Sequence, residues 1–101
     1  MAGERPLLEW WPDYGGELLW LHAGQGGARV SLDAVGVSPE LSTEITRWVT
    51  EYSDERLPLE GAGDVAWLST GRELLFRVRA ELAGRYEVIV TEPYWGEEPT
   101  T

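Results

Sequence analysis

The chain has 101 residues, of which 18 are acidic and 8 are basic, so its formal net charge at pH 7 is −10. A field of this sign repels nucleic acids and anionic membranes and attracts cationic partners. The absence of cysteine excludes disulfides, thiolate nucleophiles and cysteine-based zinc sites. No apolar run approaches the ~20 residues of a membrane span. The opening residues also lack the basic and apolar pattern of a signal peptide, so we predict one soluble, cytoplasmic domain.

Three segments in the first third of the chain have the composition of β-strands. Leu7–Trp11 is apolar and is stopped by Pro12. The segment 17–22 is apolar on both faces, which favours a central position in a sheet. The segment 28–33 alternates apolar and polar residues, the period of a half-buried strand. Glycine-rich turns separate the three segments, so we predict an antiparallel meander.

The most strongly patterned stretch is Ser38–Tyr52. Ser38 suits the N-cap of a helix, and Pro39 suits its first turn, where an N–H group would be unpaired in any case. Apolar residues then recur at helical spacing, and they are Leu41, Ile45, Trp48, Val49 and Tyr52. This spacing predicts an amphipathic helix with one inward face and an adjoining acidic face.

Two interpretations of the next helix stay open. A capping box that begins at Thr70 would start a short helix there and leave the preceding residues as a strand. Asp64 can instead be the N-cap of a longer helix with Gly71 in its inward seam. A mid-helix glycine costs about 1 kcal/mol relative to alanine, but it permits close approach of another helix. We prefer the longer helix, which would end at Gly84.

The remaining residues predict a last strand and a tail. The segment 86–91 alternates in the manner of a strand, and residues 92–101 are acidic and bracketed by prolines. The element order is therefore β-β-β-α-α-β. This order predicts an α+β two-layer sandwich with two helices on one face of a mainly antiparallel sheet. We predict a single domain over residues 1–91 and an extended acidic tail over residues 92–101.

No motif for catalysis, metal binding or nucleotide binding stands out. His22 is the single histidine of the sequence, so a metal site would depend on carboxylates, and we favour a structural or exposed histidine. The glycines at 24–27 resemble a phosphate loop, but a strand follows them instead of a helix, so a hairpin turn is favoured. We therefore predict a protein that is not an enzyme and holds neither a metal nor a cofactor.

Two groups of residues are candidates for binding a partner. The first group is acidic and lies at the long helix and the loop after it; its members are Glu44, Glu51, Asp54 and Glu55. The functional interpretation is electrostatic docking to a basic partner, and the alternative is a solvated helix face. The second group lies at the first turn and consists of Trp11, Asp13 and Tyr14. Aromatic residues beside charge are typical of binding hot spots, and the alternative is that these rings cover the core or the sheet edge.

The run LSTEITRWVTEY, followed by GRELLFRVRAELAGRYEVIV, resembles small acidic proteins of actinobacteria. In size, charge and lack of cysteine the chain is also similar to immunity proteins and antitoxins, which neutralise cationic nucleases and other toxins. This resemblance implies a protein-binding module that masks a basic protein partner. Two other functions stay open, namely an accessory or structural subunit of a larger assembly and a small ligand-binding domain.

Overall fold

The computed structural model describes residues 6–13, 17–21, 28–59 and 61–99. The elements in chain order are β1 (Leu7–Trp10), β2 (Leu19–Leu21), β3 (Arg29–Val30), α1 (Leu32–Val35), α2 (Pro39–Val49), α3 (Val65–Leu82) and β4 (Glu87–Val90). A 3₁₀ turn over Asp54–Arg56 lies between α2 and α3. The α+β class and the order of the predicted elements are confirmed, and the short α1 is an addition to them. Within the described ranges, none of the helices combines the length and the apolar character that a membrane span requires.

The four strands form one mixed sheet in the order β3-β2-β1-β4. The predicted meander is present, because β2 pairs antiparallel with both β1 and β3. This pairing also confirms the central position of β2. The last strand pairs parallel with β1. A parallel partner requires a crossover connection, and the two long helices supply it on one face of the sheet.

The third strand is shorter than the predicted segment 28–33. The Ser31 hydroxyl accepts a hydrogen bond from the Ala34 N–H at 3.3 Å, so Ser31 caps α1 and ends the strand at Val30. Gly36 ends α1 with a φ of 99°, a left-handed conformation that glycine adopts at little cost. The prediction of a strand through Asp33 was therefore wrong, because a local cap competes with the alternating pattern.

The helix α2 begins at the predicted residue. The Ser38 hydroxyl accepts a hydrogen bond from the Leu41 N–H at 3.3 Å, and Pro39 occupies the first turn. Glu81 of α3 reinforces this cap, since its carboxylate accepts hydrogen bonds from the Ser38 N–H at 2.7 Å and from the Ser38 hydroxyl at 2.9 Å. The helix ends at Val49, before the predicted Tyr52. The predicted inward face is confirmed, and its buried residues are Leu41, Ile45, Trp48 and Val49.

The longer version of α3 is the correct one. The Asp64 carboxylate accepts a hydrogen bond from the Trp67 N–H at 3.0 Å and caps the helix, so the alternative start at Thr70 is excluded. Gly71 is buried where α3 meets α2, and a Cβ atom there would collide with the ring of Trp48. Glycine at this position costs about 1 kcal/mol in helix propensity relative to alanine, but it lets α2 and α3 pack closely.

Four of the six tryptophans lie together in the core between the sheet and the helices. Each is at most 4% exposed, and the set, which we call the tryptophan cluster, consists of Trp10, Trp48, Trp67 and Trp95. Their ring contacts have centroid distances between 4.3 and 6.4 Å. Aromatic pairs at these separations stabilise a fold beyond the area that they bury.

Residues 92–99 do not extend away from the domain as predicted. Trp95 is 3% exposed and belongs to the tryptophan cluster. Arg79 of α3 fixes this segment, because its guanidinium donates hydrogen bonds to both carboxylate oxygens of Glu97 at 2.6 and 2.9 Å. The same guanidinium donates two hydrogen bonds to the Val88 carbonyl at 3.0 and 2.8 Å. The expectation of an extended tail is corrected here, since burial of one large ring outweighs the polar character of its neighbours.

Replacing Trp95 with alanine is expected to lower the free energy of unfolding by about 3–5 kcal/mol, because the substitution leaves a cavity among three other rings. Urea denaturation followed by circular dichroism measures this change. The control is Trp11→Ala, which removes a ring that is 47% exposed and should cost less than about 1 kcal/mol. A chain that ends at Thr91 should be destabilised at least as much as Trp95→Ala. Equal stability of all variants would contradict the core position of Trp95.

The partly buried carboxyl of Glu92 is expected to make the free energy of unfolding depend on pH. Burial raises the pKa of the Glu92 carboxyl above its ordinary value of 4.5, and a hydrogen bond from Trp95 Nε1 at 3.2 Å opposes this shift. Because the folded state then holds the proton more tightly than the unfolded state, stability falls as the pH rises from about 4.5. Glu92→Gln keeps the acceptor without the charge, so it should raise the free energy of unfolding at pH 7 by less than about 1 kcal/mol. A gain of the same size at pH 4 would contradict this explanation.

Candidate partner-binding surface

The acidic residues of the first group that was predicted to bind a partner are all exposed, and they are Glu44, Glu51, Asp54 and Glu55; Glu40 is an exposed acidic neighbour of this group. Glu40 and Glu44 lie one turn apart on α2, and Glu51 follows just beyond its end. The 3₁₀ turn adds Asp54 and Glu55. All five side chains are exposed, and we call the set the acidic face. Glu44 and Glu51 line a groove between α2 and α3, whereas Asp54 and Glu55 lie at the 3₁₀ turn that follows α2.

Glu44 is linked across the two long helices to Arg77 of α3. The two side chains form a bidentate ion pair with N–O distances of 2.8 and 2.9 Å. The hydrogen bond from Arg77 lowers the pKa of Glu44, and the same bond raises the pKa of Arg77. An exposed pair of this kind adds little to stability, so its main effect is to neutralise Arg77 at the surface.

The carboxylates at the end of α2 have different surroundings. Glu51 and Glu55 form no ion pair with any residue in the described ranges. Asp54 accepts a hydrogen bond from the Tyr52 hydroxyl at 3.0 Å, which holds its carboxylate at the 3₁₀ turn. This end of the acidic face therefore presents negative groups that a cationic partner can approach directly.

A groove of about 400 Å³ between α2 and α3 borders the acidic face. Its floor is made by Trp48 and Trp67, whose rings stack with their centroids 4.3 Å apart. The two residues also exchange hydrogen bonds. Trp48 Nε1 donates to the Trp67 carbonyl at 2.9 Å, and Trp67 Nε1 donates to the Trp48 carbonyl at 3.1 Å. The floor is therefore rigid, because both rings are held at their faces and at their nitrogen atoms.

The rim of the groove carries charges of both signs. Arg47 and Glu51 lie on the α2 side, and Arg56 forms an ion pair of 2.5 Å with Asp64 at the start of α3. Arg47 and Glu51 are thus the rim charges that form no ion pair with any residue in the described ranges. Among the residues that the structure describes, no three histidines or carboxylates are grouped so as to hold a metal ion.

The second predicted group lies on the other side of the sheet. Trp10 points towards the helices, so its neighbour Trp11 points to the opposite face, where its ring lies 6.4 Å from that of Trp20. Trp20 Nε1 donates a hydrogen bond to the Trp11 carbonyl at 2.9 Å. Asp13 is also exposed, whereas Tyr14 lies outside the described residues. One flat partner surface therefore cannot cover both Trp11 and the acidic face.

Two other sequence predictions also fall outside the described ranges. These concern His22 and the glycine-rich turn at residues 24–27. Their interpretation as an ordinary histidine and a hairpin turn stays a prediction.

The sequence analysis missed an exposed aromatic residue on α3. Phe76 is 74% exposed, the largest exposed fraction among the large apolar side chains in the described ranges. It follows two buried leucines in the run LLF, so composition alone suggests a core residue. The helical period could have revealed it, because Phe76 lies outside the inward seam that includes Leu75 and Val78.

Residues 7–93 match the model of the family described as Serratia CdiI immunity protein-like. The chain belongs to this family. The match includes all four strands and both long helices, and therefore the whole acidic face. A comparison with curated proteins gave no match.

Membership of the Serratia CdiI immunity protein-like family confirms the resemblance to immunity proteins that size and charge indicated. The resemblance to actinobacterial proteins stays a prediction. Membership of an immunity protein-like family implies that the chain binds a toxin protein partner.

In this immunity protein-like chain, Trp48→Phe is expected to lower the free energy of unfolding by about 2–3 kcal/mol. The substitution leaves the buried Trp67 carbonyl without the indole donor and reduces the stacked area. The control is Trp20→Phe, which removes an indole donor at an exposed site and should cost less than about 1 kcal/mol. Urea denaturation measures both changes. Equal losses would show that the reciprocal hydrogen bonds are not a major source of stability.

Proposed function

We propose that this chain is an immunity protein that binds and neutralises a basic toxin protein, with the acidic face as its main contact. The family match is the observation that carries the proposal of an immunity protein. The charge of the toxin and the position of the contact are inferred from electrostatics. A net charge of −10 attracts a cationic protein at long range. The exposed carboxylates of α2 and the 3₁₀ turn are groups that such a protein can contact.

Two arginines next to the acidic face are already engaged, whereas Arg47 on α2 forms no ion pair with any residue in the described ranges. Arg77 forms its ion pair with Glu44, and Arg56 forms its ion pair with Asp64. Glu51 forms no ion pair with any residue in the described ranges, although Arg47 lies one turn before it on the same groove. A basic toxin surface that binds its own target through cationic groups would be covered and neutralised by such a face.

The surface around Trp11 and Asp13 is a second candidate contact, and Tyr14 was predicted to belong to it. Its position on the far side of the sheet separates it from the acidic face. A toxin would have to wrap around the domain to reach both surfaces. We therefore assign the main contact to Glu44, Glu51, Asp54 and Glu55, with Glu40 beside them.

The proposal predicts that three charge reversals on the acidic face weaken toxin binding. Tagged wild-type protein is used to capture partners from a lysate of the source organism at low and high salt, and the retained toxin is then purified. The triple variant Glu51→Arg, Asp54→Arg, Glu55→Arg should bind this toxin at least about tenfold more weakly at low salt and with a smaller salt dependence. Isothermal titration calorimetry measures the affinity.

The matched control is the triple variant Asp33→Arg, Glu87→Arg, Glu98→Arg. It changes the net charge by the same amount at exposed residues outside the acidic face, so it should bind nearly as well as the wild type. Equal losses of affinity in both variants would show that binding depends on net charge and not on the acidic face. A partner that stays bound at high salt and has no toxic activity would favour a subunit of an assembly instead. Co-expression with the toxin then tests neutralisation, since only the wild type and the control should restore growth.

A further inference from the structure

Phe76 occupies an unusual position for an aromatic residue. It lies in the middle of α3 and is 74% exposed. The inward seam of α3 includes Gly71, Leu75 and Val78, which are buried. Because successive residues of a helix are rotated by about 100°, Phe76 lies well away from this seam, and its ring cannot reach the core. The ring therefore adds nothing to the packing of α3 against α2 and the sheet.

Three of the residues on the same strip of α3 are short, and the exception is Arg72, four residues before Phe76. Ser69 and Ala83 lie seven residues before and after Phe76, and Ala80 lies four residues after it. These spacings place side chains on one face of a helix, and all three are exposed. The phenyl ring is therefore open on the side of Ala80, while Arg72 lies on its other side and donates a hydrogen bond to the Tyr94 carbonyl at 3.2 Å. A partner with a concave apolar surface can enclose such a ring, as aromatic hot spots are enclosed in protein interfaces.

Phe76 is continuous with the acidic face. The next residue, Arg77, reaches across to Glu44 of that face. Glu73 lies one turn before Phe76, and it is exposed and forms no ion pair with any residue in the described ranges. Arg79 is held by the C-terminal segment through Glu97. Arg77 and Arg79 are thus paired with carboxylates of the chain, Arg72 donates to a backbone carbonyl, and the Glu73 carboxylate lies beside the ring.

The net charge of the chain favours one of two possible binding partners for Phe76, which are a second copy of the chain and a basic toxin. A second copy of the chain would bring another net charge of −10 against the first, and like charges oppose such an association. A basic toxin would instead be attracted by the acidic face while it enclosed the ring. We propose that Phe76 is the apolar anchor of the toxin interface and inserts into an apolar pocket on the toxin. This inference rests on the proposed function.

The anchor and the acidic face have separable effects on binding kinetics. Exposed charges at an interface mainly change the association rate and its dependence on salt. A buried aromatic contact mainly changes the dissociation rate, since it forms only once the surfaces have met. Phe76 should therefore act on the lifetime of the complex, and the carboxylates on its rate of formation.

Surface plasmon resonance tests this division with the purified toxin that the wild type retains at low salt. Phe76→Ala is expected to raise the dissociation rate constant at least about tenfold and to leave the association rate constant and its salt dependence unchanged. The control is Val65→Ala on the same helix, where the side chain is 64% exposed. It lies about 16 Å from Phe76 along the helix axis and should change the dissociation rate less than about threefold. Both variants should unfold at the wild-type temperature, because neither side chain is in the core.

An unchanged dissociation rate for Phe76→Ala would overturn this inference. If the triple charge variant still weakened binding, the proposed function would stand without an anchor at Phe76. If the wild type retained no toxin at all, the proposed function would fail, and the inference would fail with it. Sedimentation velocity tests the other occupant. A concentration-dependent dimer of the wild type that is lost in Phe76→Ala, together with unchanged toxin dissociation, would assign the ring to self-association and reject the proposal.

Discussion

The reciprocal contact between Trp48 and Trp67 determines how the two long helices pack. Each indole stacks on the other and donates its N–H to the other's backbone carbonyl. These requirements can be met together at only one relative position of α2 and α3, because a hydrogen bond weakens steeply when its geometry changes. Gly71 provides the space for the ring of Trp48, and Trp95 packs against both indoles. This contact therefore determines the relative positions of the residues on α2 and α3 that form the acidic face and the groove beside it.

Local chemistry explains why the helices were predicted well and β3 was not. The start of α2 depends on Ser38 and its immediate neighbours, and the start of α3 depends on Asp64 in the same way. Such caps are decided within about four residues, so the sequence pattern is sufficient. The segment 28–33 alternates like a strand, but Ser31 caps a short helix there. Two local signals competed, and the alternating pattern contained no information about which would prevail.

The acidic face was predictable only in part, because the exposure of Glu40 and Glu44 follows from the amphipathic period of α2, whereas its other members lie beyond the end of that helix. The separation of the acidic face from Trp11 could not be predicted, because it depends on which face of the sheet the Trp10 side chain points to. The position of Trp95 depends on three rings that are distant in sequence, so no local pattern of the acidic segment around it could reveal its burial. The exposure of Phe76 was missed for a different reason. An apolar run contains one residue that the helical period turns outward, and the sequence analysis followed only the inward seam of this helix.

The guanidinium of Arg79 also affects the outer strand of the sheet. Among the described strands β4 has a single neighbour, and its segment Val88–Val90 is apolar. An outer strand of this kind is a template for edge-to-edge pairing and aggregation, because its carbonyl groups can accept a strand from another chain. Arg79 already occupies the Val88 carbonyl with two hydrogen bonds while Glu97 holds its other side. A foreign strand would have to displace both contacts, so this edge is protected by the chain itself, and recognition on this side depends on side chains rather than on strand addition.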